Sequence, residues 1–381
     1  MRLSDCHNVA DFRELARQRL PSPVFDYIDG AADDEITKGR NTSAFDNCDL
    51  VPNVLAGAET VDLAVTVMGQ KIAMPLMLSP TALQRLFHWQ GERAVAAVAQ
   101  RFNTWFGISS LATVSIEEIG KIETPKLFQL YVHKDKGLNR SMIERCKAAK
   151  FDAIALTVDV AVSGNRERCL RSGFTSPPRF TPVSVLSYAM HPGWVFNYLF
   201  REKFALPNLA THVDEGTSVA VSVADYFNTM LDPAMNWKMA EDIRKDWGGH
   251  FALKGVMSVA DAKRAVDIGA SAIYISNHGG RQLDGSRSPF DQIAEIADAV
   301  GGKIDIICDG GVRRGSHVLK ALAAGATACS GGRLYLYALA AAGEAGVNRI
   351  IGKLRDEIER DMKLMGVRSV SELNRSMLRW R

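Results

Sequence analysis

The sequence predicts an α/β fold: a single (β/α)8 TIM barrel with an N-terminal helical lead-in and a long loop after strand 4. Three observations carry this. Eight short apolar runs alternate with helical patterns along the 381 residues. The runs are continuously apolar, which is the mark of strands covered on both faces by helices in a parallel sheet. No GxGxxG dinucleotide motif follows the first run, so eight units of this length suit a closed barrel better than an open Rossmann sheet.

The elements follow in order. Val9 to Leu20 mixes apolar and charged residues at helical spacing until Pro21 and Pro23 stop it. Val24 to Ala32 reads as a short helix ending near Gly30, and residues 40 to 70 as irregular lead-in with short strands. The repeating unit then begins. Strands are predicted at Ile72–Leu78, Thr104–Ile108, Lys126–Val132, Ala153–Asp159, Phe251–Gly255, Ala272–Ile275, Ile304–Cys308 and Ala326–Ser330. Helices are predicted at Gly91–Arg101, Ile116–Gly120, Asn139–Ala149, from after Asp232-Pro233 to about Trp247, and at Ser258–Ile268, Pro289–Val300 and His317–Ala324. Helical sequence fills the remainder. The whole chain, 1–381, reads as one domain, with an insertion at about 160–231.

Composition narrows the class. The hydrophobic fraction of 47% supports a sizeable core. The formal charge of +3, with no Lys/Arg tract and no zinc-finger spacing, gives no ground for nucleic acid or a metal site. Cys6, Cys48, Cys146, Cys169, Cys308 and Cys329 form no CxxC and are too scattered for a disulfide scaffold. Reduced thiols in a cytoplasmic compartment are therefore expected. Met1 to Asp5 contains no apolar signal core.

Barrel enzymes place their chemistry at the carboxyl ends of the strands. Here those ends carry Ala82, Ser109, Gln129 with Tyr131, Thr157 with Asp159, Lys254, Ser276 with His278, Asp309, and Gly332 with Arg333. The sixth is the most pointed: after Ala272–Ile275 the chain runs Ser276-Asn277-His278-Gly279-Gly280-Arg281-Gln282-Leu283-Asp284. A histidine can take a proton near neutral pH, and an arginine three residues on can clamp a carboxylate. The last two ends, Asp309-Gly310-Gly311-Val312-Arg313 and Gly331-Gly332-Arg333, offer backbone N–H groups and cations to a phosphate. Ser109, Gln129, Thr157 and Ser276 could hydrogen-bond a flat polar ring system, and Lys254 could neutralise charge developing on it.

From about Phe12 to Leu373 the chain resembles the FMN-dependent L-2-hydroxy-acid dehydrogenases and oxidases, the family of glycolate oxidase, L-lactate dehydrogenase and mandelate dehydrogenase. The carrying motifs are Ser276 to Asp284, Phe128-Gln129-Leu130-Tyr131, Leu156-Thr157-Val158-Asp159, Leu253-Lys254-Gly255 and Asp309 to Gly315, in family order. The resemblance implies FMN as cofactor, His278 as active-site base and Asp159 as its partner. It implies that Arg281 and Tyr27, with Arg166 nearby, hold the substrate carboxylate, and that Tyr131 bonds the substrate hydroxyl. It places Lys254 at the flavin N1/O2 edge. Pro80, Thr81, Ala82, Ser109, Gln129, Thr157 and Ser276 would hold the isoalloxazine and ribityl chain. Asp309, Gly310, Gly311, Val312, Arg313, Gly332 and Arg333 would hold ribityl and phosphate. A homo-oligomer, a tetramer by resemblance, is implied too.

Leu111 stands where glycolate oxidases carry an aromatic, pointing away from glycolate and toward L-lactate or something larger. Val160 to Arg168 resembles the matching stretch of mandelate dehydrogenases, so mandelate is the alternative substrate. Cys169 departs from the acidic residue expected there, with the neighbouring arginines intact. Two other classes are an FMN barrel isomerase acting on isopentenyl diphosphate, which has no need of His278 and Arg281 for a carboxylate, and a flavin-binding scaffold without turnover; intact His278, Asp159 and Arg281 argue against both. Between Arg179 and Arg201 no residue is charged, and Tyr188, Trp194, Phe196, Tyr198 and Phe200 crowd the window. Pro182 and Pro192-Gly193 break it, so a spanning helix is not expected. The 180–200 window reads either as an interfacial patch, which by resemblance to membrane-associated relatives would be peripheral on the inner face of the cell membrane and suit a quinone or cytochrome acceptor, with oxygen as the other acceptor, or as a lid or oligomer contact.

Overall fold

A computed structural model describes residues 1–174, 180–209 and 230–381. Helix Val9–Arg19 opens on a capping box in which Asn8 accepts from the Asp11 N–H. It buries Val9, Phe12, Leu15 and Ala16 along one face. Pro21 ends it, and Pro23 sits in the first turn of the next helix, Ser22–Asp29, where a missing N–H is harmless. The lead-in is more ordered than expected from residues 40–70 alone. It contains helix Ile36–Ser43, strand β1 (Cys48–Leu50) and a hairpin of β2 (Val65–Val67) and β3 (Gln70–Ile72).

Eight parallel strands then close a barrel: β4 (Leu76–Thr81), β5 (Phe106–Ser109), β6 (Lys126–Leu130), β7 (Ala153–Thr157), β8 (His250–Val256), β9 (Ala272–Ser276), β10 (Asp305–Asp309) and β11 (Ala328–Gly331). All eight predicted strands are present. The first needs correction: the run Ile72–Leu78 ends one hairpin strand and begins the barrel strand, with Pro75 between them. Helices Glu92–Arg101, Ile116–Gly120, Lys136–Ala148, Trp237–Trp247, Val259–Asp267, Pro289–Val300, Gly315–Ala324 and Arg333–Met365 alternate with the strands. A last strand, β12 (Leu378–Trp380), pairs antiparallel with β1 and ties the two ends of the chain together.

Two cores result. Leu78, Phe106, Phe128, Ile154, Leu156, Leu253, Ile273 and Ile275 pack outward against the helices. Met77, Trp105, Leu127, Ala153, Ala155, Ala252, Ala272, Tyr274, Ile307 and Ala328 pack inside the barrel with Val67, Met68 and Ile72 of the hairpin. Membership alternates residue by residue, as the strand period of two requires. The hairpin's share of this inner core places it as a stopper at the barrel's amino end.

The excursion after β7 contains helices Glu167–Ser172, Pro182–Ala189 and Pro192–Phe200. Arg179, which bounds the uncharged window, lies outside the described residues, as do 175–178 and 210–229 of the insertion. Pro182 and Pro192 do not simply interrupt the segment: each opens a helix at its first position. No described helix is long and apolar enough to cross a membrane.

Candidate active site

Following the inner core upward by two residues per strand, and by four from Trp105, reaches a polar ring: Ser79, Ser109, Gln129, Thr157, Lys254, Ser276, Asp309 and Ser330, all buried. Lys254 Nζ is ion-paired with Asp309 Oδ2. Ser276 Oγ donates to the same oxygen at 2.8 Å, and Ser79 Oγ donates to Asp309 Oδ1 at 2.6 Å. Burial pushes the Asp309 carboxyl up, but the Lys254 charge and these hydrogen bonds outweigh it and hold it below the usual carboxylate range. Gln129 Nε2 donates to Thr157 Oγ1 at 2.8 Å and to the Tyr131 hydroxyl at 3.3 Å.

Above this ring lies a cavity of about 940 Å³, counting its mouth. Tyr27, Pro80, Thr81, Ala82, Gln129, Tyr131, Arg166, Lys254, His278, Arg281, Asp309, Gly310, Gly311, Val312, Arg313, Gly332 and Arg333 line it. Asp159, Ser109, Thr157 and Ser276 stand behind that lining. Ser109 Oγ accepts the Leu111 N–H at 3.2 Å, while Thr157 and Ser276 bond the side chains in front of them. Leu111 is wholly buried and is not among the residues that line this cavity. Ile28, Phe87 and Leu336 supply apolar wall instead.

His278 Nδ1 lies 3.1 Å from Asp159 Oδ1. A carboxylate there accepts from Nδ1–H, which leaves Nε2 as the basic nitrogen. Burial lowers the ring's pKa from the ordinary 6.5, opposed chiefly by the Asp159 charge. The histidine itself sits at φ +57°, an uncommon left-handed conformation held by the surrounding loop. Gly255 makes room for the partner: a Cβ there would lie 2.6 Å from Asp159 Cβ and Cγ.

Arg281 rests its guanidinium 4.8 Å from the Tyr27 ring centre, and its Nη1 donates to Tyr27 O at 2.6 Å and Gly30 O at 3.1 Å. Arg166 is held at a pKa of about 10, lowered by burial and then by the Arg281 charge. Burial raises the Tyr131 phenol, with Asp159 adding to the effect. Cys169 is buried with Sγ 3.9 Å from the Asp26 carbonyl. At the far end, Arg333 donates to Ile28 O, Gly279 O and Gly30 O at 2.9, 2.7 and 2.6 Å. Burial lowers its pKa to about 10, and Arg281 and Arg313 push the same way.

The family model for FMN-dependent dehydrogenases matches residues 16–380. The chain belongs to that family. It is 38% identical over 373 residues to L-lactate dehydrogenase of Alcaligenes faecalis, covering 97% of each chain. It is 36% identical over 370 residues to glycolate oxidase of Spinacia oleracea, covering 97% of this chain and 94% of that one. Among solved structures, the monotopic membrane protein (S)-mandelate dehydrogenase superposes with a TM-score of 0.94 at 32% identity, covering 99% of this chain and 100% of that one. This member is thus an oxidoreductase acting on 2-hydroxy acids, and its cofactor is FMN.

The residues present fit that cofactor. The helix Arg333–Met365 begins at Gly332 with no side-chain cap, so its first N–H groups open toward the cavity end where Arg313 and Arg333 converge. Two mutually repelling, desolvated guanidiniums suit a phosphate dianion. The Gly310-Gly311 turn admits no side chain: a Cβ on Gly311, at φ +76°, would fall 1.7 Å from Asn41 O. Ser79 and Ser330 were missed from sequence. The period-two register from Met77 and Ala328 would have found both.

Proposed function

We propose that this chain oxidises an L-2-hydroxy acid, L-lactate first, to the 2-oxo acid. The observation that carries the reading is the His278–Asp159 pair in one cavity with Arg281, Arg166, Tyr131 and Tyr27. Arg281, pinned through Nη1, presents the rest of its fork to the substrate carboxylate, with Arg166 adding charge and Tyr27 closing the side. Tyr131, kept protonated by burial, donates to the substrate oxygen. His278 accepts the substrate proton at Nε2, and Asp159 stabilises the imidazolium that forms. Lys254 and the ring of Ser276, Gln129 and Thr157 position the cofactor's polar edge, with Pro80, Thr81, Ala82 and Ser109 beside it. Asp309 to Arg313, Gly332 and Arg333 hold its ribityl phosphate. Bound FMN supplies a two-electron acceptor. The electrons go on to a quinone, a cytochrome or oxygen.

Mandelate is the second reading, favoured by the Val160–Arg168 stretch and by the backbone likeness to (S)-mandelate dehydrogenase. Anaerobic mixing of the purified protein with L-lactate, L-mandelate and glycolate, reading flavin absorbance, decides among them. Bleaching by none of them would sink the reading; fastest bleaching by L-mandelate would replace lactate.

We also place the helices Pro182–Ala189 and Pro192–Phe200 against a membrane surface, at the inner face of the cell membrane. They expose Val183, Leu186, Phe196, Leu199 and Phe200, flanked by Arg201 and Lys203. We read the assembly as a homotetramer, which sedimentation would test.

A further inference from the structure

A second cavity, of about 990 Å³, adjoins the active site. Its walls are Gln18 and Arg19 at the end of the first helix, the segment Arg85–Trp89, the stretch Met190–Tyr198 that leads into and forms helix Pro192–Phe200, and Ala340 and Ala341 of helix Arg333–Met365. Phe87 lines both cavities. Leu336 lines the first and Ala340 the second, and residues four apart on a helix lie about one 5.4 Å turn from each other. One phenyl ring and one helical turn separate the two.

A break in that helix shapes the cavity. Ala342 and Gly343 have non-helical dihedrals, with Gly343 at φ +58°. A Cβ on Gly343 would lie 2.5 Å from His88 Cε1 and 2.2 Å from Gln90 Oε1. Only a glycine there lets the His88–Gln90 turn pack against the helix.

The walls have a specific chemistry. Trp194 and Tyr198 stack at 5.1 Å with planes 10° apart, and Trp194 Nε1 is fixed by donating to Leu86 O at 2.8 Å. His191 Nδ1 lies 2.6 Å from Ser187 O, which can only accept, so Nδ1 donates there and Nε2 is the nitrogen that can accept from a ligand. His88 Nδ1 accepts from the Gln90 N–H at 3.3 Å, so its Nε2 carries the proton and donates. Burial lowers the His88 pKa to about 4 and keeps that ring neutral. Arg85 is 8% exposed; its Nη1 is ion-paired with Glu202 at 3.3 Å, and its buried Nε has no hydrogen-bond partner among the described residues. Flat aromatic walls, a neutral donor, a second imidazole whose Nε2 is free of the Ser187 contact, and a desolvated guanidinium thus share one cavity. Met190 lines it, and Leu186 and Leu199 are exposed on the helices beside it, while Gln18, Arg19 and Asn197 add polar groups.

We infer that this cavity binds the ring of a quinone, the acceptor of the enzyme's electrons, with the apolar tail leaving over helices Pro182–Ala189 and Pro192–Phe200. The ring lies against the Trp194–Tyr198 stack. One carbonyl oxygen accepts from His88 Nε2–H, and the Arg85 charge favours electrons arriving on the ring. A hydroxyl of the quinol donates to His191 Nε2. The balance closes: the 2-hydroxy acid breaks one C–H and one O–H bond and loses two electrons and two protons, and the quinone gains both to form two O–H bonds. A cytochrome needs an exterior docking face and oxygen needs no aromatic slot. The source of the electrons rests on the proposed function; binding of the quinone does not.

The holoenzyme is titrated with a short-tailed benzoquinone while tryptophan emission is read, since Trp89 and Trp194 line the cavity. Saturable quenching beyond that of free tryptophan is expected. Ala340→Phe, which fills the cavity, should abolish it, and His191→Leu should weaken the affinity about tenfold, the loss of one hydrogen bond. Ala340→Phe should also slow quinone reduction by L-lactate at least tenfold, while anaerobic flavin bleaching and ferricyanide reduction stay at wild-type rates. His191 sits on the partly exposed excursion, so its variant reports even where Ala340→Phe does not fold. Absence of saturable quenching in the wild type, or unchanged affinity in His191→Leu and in any folded Ala340→Phe, overturns the proposal and leaves oxygen or a cytochrome as acceptor. If no 2-hydroxy acid bleaches the flavin, the functional reading fails while the titration still decides the cavity.

Discussion

We predict that Asp159→Asn slows flavin reduction and moves its pH profile toward acid. Asp159 Oδ1 stands 3.1 Å from His278 Nδ1, with the two side chains 12% and 17% exposed, so solvent screens the pair little. Burial lowers the imidazole pKa, and the carboxylate is the main influence resisting that. The base works only when neutral, so the wild-type rate falls as pH drops through the folded-state pKa and is level above it. Removing the carboxylate's charge lowers that pKa further, and the acid limb moves to lower pH. The plateau falls as well, because the imidazolium formed on proton transfer loses its counter-charge. A hydrogen bond to a charged group contributes about 1.5–3 kcal/mol. At about 1.4 kcal/mol per tenfold, the plateau should drop roughly 10- to 150-fold. The companion His278→Gln cannot take a proton at neutral pH, so it should lose at least about a hundredfold and show no acid limb. The assay is anaerobic stopped-flow of flavin absorbance with L-lactate from acid to neutral pH. A plateau within a few-fold of wild type with the limb unmoved, or an acid limb retained in His278→Gln, would show that the base is elsewhere.

Other outcomes follow from the same geometry. Arg281→Lys keeps charge but loses the fork, so the L-lactate half-saturation concentration should rise by about 2–3 kcal/mol's worth with FMN content unchanged; an unchanged value removes Arg281 from the carboxylate site. Denaturation should release FMN and no FAD, read by chromatography, because the cavity end carries one phosphate-type cradle. Gly311→Ala puts a Cβ 1.7 Å from Asn41 O at a left-handed φ, so urea unfolding should show a loss of about 2–6 kcal/mol together with reduced flavin content, and an unshifted midpoint would refute it. Phe196→Glu with Leu199→Glu should abolish sedimentation with anionic vesicles without changing flavin bleaching; if the wild type ignores vesicles, the face is a lid or a subunit contact.

Much of the barrel was legible because its strands are continuous apolar runs and its helices carry their own caps. Pro289–Val300 and Ile116–Gly120 begin and end where the sequence alone puts them. What was not legible depends on distant partners. The sequence Ile36–Ser43 has a glycine, two threonines and an asparagine and reads as poor helix. It is helical because Asp284 accepts from the N–H groups of Ile36 and Thr37, 248 and 247 residues away in sequence.

The same dependence explains how the loop after β9 can hold His278 at a positive φ. The lead-in grips that loop at several points. Asn41 and Asn277 exchange side-chain hydrogen bonds at 2.8 and 2.7 Å, 236 residues apart. The Ala32 N–H donates to Gly280 O, and Arg333 bridges Gly279 O to Gly30 O and Ile28 O. Arg281 donates back to Tyr27 O and Gly30 O, and a Cβ on Gly164 would strike Arg281 O at 2.2 Å. Each bond contributes of order 1 kcal/mol, and together they exceed the 1–3 kcal/mol that one left-handed non-glycine residue costs. The catalytic geometry proposed here is therefore imposed on the loop by the lead-in through Asn41, together with Arg333. Loosening the lead-in, for example with Asn41→Ala, should lower the rate of flavin reduction by misaligning His278 even though Asn41 touches neither His278 nor Asp159. A rate and pH profile identical to wild type in that variant would mean that the loop holds its conformation unaided.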